Sequence, residues 1–139
     1  MHNAARYPFL PIDTALGEAG LQPRVPLTLT YQDQSVAVTG LLDTGAMGNV
    51  LPYPVGADLG AVWEQQTTAL RLTGNLAQFD ARALLVSATI GAFAPVRLVF
   101  AWPQAPTVRI LCVFSAAGQA EHGAPLAPCS GFIAVGWCV

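Results

Sequence analysis

Residues 24–46 read RVPLTLTYQDQSVAVTGLLDTGA, and this stretch sets the fold class. Val25, Leu27, Leu29 and Tyr31 alternate with Pro26, Thr28, Thr30 and Gln32. A period of two puts one face of a strand into a core and the other towards water. Asp33-Gln34 follows where a reversal belongs, and residues 35–42, with Val36, Val38, Leu41 and Leu42, read as the returning strand. The pair is a β-hairpin that delivers Asp43 at its end.

The same pattern continues downstream. Asn49-Val50-Leu51 is a short apolar strand stopped by Pro52 and Pro54, and a brief helical turn fits between Val55 and Val62. Residues 67–73 and 80–90 are strand-like on either side of Gly74-Asn75, so residues 70–79 read as a projecting hairpin. Residues 95–101 and 108–114 are further strands separated by Pro103 and Pro106, and residues 132–139 make a final one. Short strands with turn signals at about ten-residue spacing predict an all-β, barrel-like domain with at most one or two short helices. Residues 1–23 have no sustained periodicity and read as an N-terminal arm, which leaves 24–139 as the domain. Its last part, 112–139, is dominated by Ala, Gly and Pro, with Glu121 as its only formal charge.

Composition narrows the function classes. The 139 residues suffice for one compact domain, and 53% hydrophobic against 10% charged residues places the chain among folding sequences. The net charge is −2, Lys is absent, and the six Arg (6, 24, 71, 82, 97 and 109) are spaced singly. Such a chain has no electrostatic footprint for a phosphate backbone, so nucleic acid is not an expected partner. Arg24, Arg71 and Arg82 are candidates to line a groove, although isolated Arg residues are mostly solvated. Residues 1–20 contain Pro8, Pro11 and Asp13 and lack the continuous apolar stretch of a secretory signal. Residues 83–96 and 123–139 are apolar but too short, or too interrupted by Pro and Gly, for a membrane span. The three Cys (112, 129 and 138) are odd in number, so reduced thiols and a cytoplasmic location are expected. Cys129, Cys138 and His122 match no two-pair zinc spacing, and neither a metal nor another cofactor is expected.

A peptide bond can be hydrolysed without a metal or a Ser/His or Cys/His pair if two carboxyls lie side by side. Two such groups cannot both ionise cheaply, so the pair holds one proton. The ionised member takes a proton from water while the protonated one donates to the substrate oxygen. The surroundings of Asp43 suit this chemistry. Leu41 and Leu42 anchor the strand end, Thr44 offers a hydroxyl to a neighbouring loop, and Gly45 permits a tight turn with its N–H near the carboxylate. Asp-Thr-Gly equally suits an ordinary β-turn.

Apolar-apolar-Asp-Thr-Gly-Ala over Leu41 to Ala46, with Val50-Leu51 a few residues later, resembles the active-site loop of retropepsin-like aspartic proteases. The resemblance implies a closed β-barrel-type acid protease fold in which Asp43 is catalytic, Thr44 locks two loops together, and Gly45 and Ala46 belong to the active-site loop. It also implies that Thr73, Gly74 and Asn75, in Leu72-Thr73-Gly74-Asn75-Leu76, sit in a β-hairpin flap over a peptide or protein substrate; a plain hairpin turn is the other reading of Gly74-Asn75. Only one Asp-Thr-Gly is present and no Asp-Ser-Gly, so one chain supplies one carboxylate and a C2 homodimer is expected to supply the second.

The family's second landmark is an apolar-apolar-Gly strand beneath the catalytic loop, followed by a short helix and a closing strand at the dimer interface. Val108-Arg109-Ile110-Leu111 arrives at the corresponding place, with Cys112 where Gly is expected, and Ala134-Val135-Gly136 offers the residue types with three residues left after it. The sequence resemblance thus covers residues 24–111, and the tail departs from it. Two other readings stand beside the peptidase. One is a catalytically silent β domain of the same ancestry that binds peptides or serves assembly. The other is a hydrolase using Ser130 or Cys129 with His122, whose Cys129-Ser130-Gly131 lacks the Gly-x-Ser-x-Gly elbow.

Overall fold

The computed structural model describes residues 3–11, 21–42, 48–105, 111–113 and 132–137. In chain order the strands are β1 (Asn3–Pro8), β2 (Leu10–Pro11), β3 (Leu21–Gln22), β4 (Arg24–Tyr31), β5 (Gln34–Leu42), β6 (Asn49–Val50), β7 (Ala69–Leu70), β8 (Ala81–Thr89), β9 (Val96–Pro103), β10 (Leu111–Val113) and β11 (Phe132–Trp137). One helix, α1 (Tyr53–Asp58), and 3-10 turns at Trp63–Gln65 and Gly74–Leu76 complete the described elements.

β4 and β5 form the expected antiparallel hairpin, from Arg24↔Leu41 to Tyr31↔Gln34. The reversal falls on Gln32-Asp33, one residue earlier than the sequence suggested, and Gln32 takes the left-handed conformation (φ +52°). A two-residue hairpin loop needs that conformation to follow the twist of its strands. The resulting register sets Leu27 opposite Val38 and Leu29 opposite Val36, all on the side of the core.

Seven strands follow the order β4-β5-β10-β6-β9-β8-β7, and β4 also pairs with β8 at Thr28–Thr30. The sheet therefore curls until β8 meets β4, which gives the all-β, barrel-like architecture. Its interior is filled by Val25, Leu27 and Leu29 of β4, Leu84, Val86 and Ala88 of β8, and Phe100 and Trp102 of β9, together with Leu51, Leu59 and Trp63. Full burial of side chains of this size is worth about 1.5–3 kcal/mol each. No polar side chain is buried among the described residues.

The two prolines expected to stop β6 also open α1: Pro52 is its N-cap and Pro54 lies in its first turn. Proline is tolerated there because the first N–H groups of a helix have no internal acceptor, so the helix begins two residues before Val55. Gly56 faces Trp102 so closely that a Cβ would lie 2.3 Å from the indole Cε2. The same indole stacks on Tyr53, with centroids 5.3 Å apart, and its Nε1 donates to the Tyr53 carbonyl at 3.1 Å.

β9 continues to Pro103, beyond the predicted end at residue 101. In β10 the described residues of the predicted strand 108–114 are Leu111–Val113. β1 pairs antiparallel with β11 from Asn3↔Trp137 to Pro8↔Phe132, so strands near the two ends of the chain form a separate two-stranded sheet. Tyr7 packs against the core. Among the described residues no helix is long and apolar enough to cross a membrane.

Candidate active site

Asp43, Thr44, Gly45 and Ala46 lie outside the described residues, but the strands on either side of them are described. β5 ends at Leu42 and β6 begins at Asn49. β10 runs between these two strands. It pairs in parallel with β5 (Leu111↔Gly40, Cys112↔Leu41, Val113↔Leu42) and antiparallel with β6 (Cys112↔Val50). One strand thus holds both feet of the loop, and Cys112 is the residue paired to each. With neighbouring strands roughly 4.8 Å apart, the feet stand about 10 Å from one another.

Further bonds fix each foot. The Leu42 N–H donates to the Pro23 carbonyl at 2.9 Å. On the other side β6 pairs in parallel with β9, the Leu51 N–H donates to the Ala101 carbonyl at 2.9 Å, and Asn49 Nδ2 donates to the Val99 carbonyl at 3.0 Å. Leu51 is fully buried and Leu42 packs against the core. The described residues on either side of 43–47 are thus anchored by backbone bonds and by apolar packing. The sequence put Cys112 at the position of the family's glycine, and the pairings place that residue between the feet of the loop.

Thr73, Gly74 and Asn75 lie in a ten-residue excursion, 71–80, between β7 and β8, which pair antiparallel at its base (Ala69↔Arg82, Leu70↔Ala81). The excursion is not a tight two-residue reversal at Gly74-Asn75. Gly74 takes φ +61° and begins a 3-10 turn, in which the Ala77 N–H donates to the Gly74 carbonyl at 3.1 Å; the Phe79 N–H then donates to the Leu76 carbonyl at 3.0 Å. Gly and Asn are poor strand formers and good turn formers, so the ladder stops at Leu70. Thr73, Gly74 and Asn75 are exposed, whereas Leu72, Leu76 and Phe79 are half-buried. A shallow concavity lined by Gly74, Asn75, Ala77 and Gln78 opens to solvent.

Of the arginines proposed to line a groove, Arg24 donates from Nε to Gln22 Oε1 at 2.9 Å, and Arg71 is exposed. Arg82 is half-buried and bound to Trp63, a contact that no local signal in the sequence announces because the partners are 19 residues apart. Cys129, Ser130, His122 and Cys138 lie outside the described residues. Among the described residues no three His, Cys, Asp or Glu side chains are grouped so as to hold a metal ion.

No protein-family model matches the chain, and no curated protein matches its sequence. Among solved structures, the fold is similar to that of a retropepsin-like aspartic protease from Rickettsia conorii, with a TM-score of 0.63 over 99% of this chain and 94% of that one, at 12% identity. At that identity the likeness is one of fold. It extends beyond residues 24–111, over which the sequence resemblance runs.

Proposed function

We propose that this chain is an aspartic-type endopeptidase in which Asp43 of one protomer and Asp43 of a second share a proton and activate the hydrolytic water. The observation that carries the reading is the seat of residues 43–47: a segment containing Asp-Thr-Gly whose two feet are both paired to β10, within a retropepsin-like fold. The ionised carboxylate of the dyad takes a proton from water, the water oxygen attacks the peptide carbonyl, and the protonated carboxyl donates to the carbonyl oxygen. Collapse of the tetrahedral species then returns a proton to the leaving amine. Neither a metal nor another cofactor takes part. The 71–80 excursion, with Thr73, Gly74 and Asn75, covers the bound peptide and supplies backbone hydrogen bonds to it.

The dimer contact is assigned to the sheet of β1 and β11. Among the described residues that sheet has two strands, and the second edge of each is where a partner copy would pair.

The test is a peptide-library digest across pH. Cleavage is expected on the acid side with a bell-shaped profile whose two limbs belong to the dyad as a unit. Asp43→Asn lowers the rate on the order of a thousandfold or more, and a statine-type transition-state mimic inhibits. Cleavage that survives Asp43→Asn removes the reading. Cys112 at the glycine position favours a second one, a silent β domain that binds peptides or serves assembly. In that case peptide binding persists, no cleavage occurs at any pH, and Asp43→Asn leaves the affinity unchanged.

A further inference from the structure

We propose that Arg82 is a positioning residue: through Trp63 it fixes the first foot of the 71–80 segment and so sets where that segment stands over a peptide. The inference rests on the reading of 71–80 as the cover of a peptide groove. Its physical basis is the inequality of the two feet. The segment returns into β8, nine residues long and paired with β9 from Ala81↔Pro103 to Ala88↔Val96. It departs from β7, which has two residues, two register pairs and one flanking bond, from the Ala83 N–H to the Thr68 carbonyl at 2.8 Å. So short a ladder is marginal in water and opens easily unless something else holds it.

Arg82 and Trp63 provide that hold. The chain enters β7 from the 3-10 turn Trp63–Gln65, and Trp63 is gripped in three ways. Its indole Nε1 donates to the Trp102 carbonyl at 3.1 Å. Its own carbonyl accepts from Arg82 Nη1 at 2.8 Å, and its ring lies under the Arg82 guanidinium, 3.5 Å from centroid to Cζ. Arg82 stands opposite Ala69 in the β7–β8 ladder, so one residue pairs its backbone with β7 and clamps the turn that leads into β7. Its charge has no carboxylate partner among the described residues; the ring face and the carbonyl solvate it instead. A cation on an indole gains strength as water is withdrawn, and the planar guanidinium can stack and donate at once, which a lysine ammonium does less well. Removing the guanidinium therefore loosens the first foot and spares the β8–β9 ladder.

The experiment is amide hydrogen exchange on the full chain carrying Asp43→Asn, with Arg82→Met and Arg82→Lys added separately. The expected result is exchange about tenfold faster in Arg82→Met at the amides that tie β7 to β8, Leu70 and Ala83. Arg82→Lys should be intermediate, since it keeps a cation over the ring, and amides at Leu84–Val86 and Phe100 should stay within about twofold of the parent. Should Arg82→Met not fold, the same localised, smaller acceleration in Arg82→Lys carries the result. Unchanged exchange at Leu70 and Ala83, or acceleration of the Leu84–Val86 and Phe100 amides by the same factor, overturns the inference. No peptide is cleaved in this measurement, so a failed digest of the parent protein counts against the peptidase reading alone.

Discussion

The two segments to which the sequence assigns function are flanked in opposite ways. Residues 43–47 are bounded by strands that share a third, β10, and that are tied on their far sides to Pro23 and to β9. Residues 71–80 are bounded by a long strand on one side and a two-residue strand on the other. The contrast agrees with the two tasks proposed for these segments, chemistry for the first and covering a peptide for the second. A group that performs chemistry gains from being fixed to within a fraction of an ångström. A cover must admit and release its peptide, and is drawn from the less stable part of a fold.

Four substitutions break or sharpen that contrast. Cys112→Pro strikes hardest, because proline removes an N–H from a strand paired on both sides; a loss of about 3 kcal/mol or more is expected in urea unfolding. Gly56→Val comes next. The helix that follows β6 packs its glycine against Trp102, and the added carbons meet the indole, so thermal unfolding should show a loss of about 2–3 kcal/mol. Gly74→Ala should cost only about 1 kcal/mol, since nothing lies within 4 Å of the new Cβ and the penalty is the left-handed backbone alone. Under the proposal that 71–80 covers a peptide, its larger signature is a KM for peptide raised a few-fold with kcat nearly kept. Val99→Thr, on the outer face of β9 and 52% exposed, should move stability by no more than about 0.5 kcal/mol. A Val99 variant as damaging as the Gly56 one would show that the outer face is covered.

Much of the barrel was legible in the sequence for a simple reason. β4 has one wet face, and alternation from Val25 to Tyr31 records it directly. Where both faces are covered the record fades: Phe100, Ala101, Trp102 and Pro103 are buried in succession, which hid the end of β9. Turns were read to within a residue or lost in detail, because a left-handed Gln32 and a 3-10 path through Gly74 answer to the register of the flanking strands rather than to local preference. The motif around Asp43 was plain on the page. The clamp of Arg82 on Trp63 and the passage of β10 between Leu41 and Val50 were not, since they join residues that only the closed sheet brings together.

The central claim is that two chains each contribute one Asp43 to a single active site, and subunit mixing tests it most directly. Unsubstituted protein is mixed in equal amount with Asp43→Asn, allowed to exchange partners, and assayed on a peptide at total concentration fixed. If the dyad spans two protomers, random pairing leaves activity at about a quarter of that of the unsubstituted protein alone. Activity at one half, the value for chains that work independently, contradicts the account.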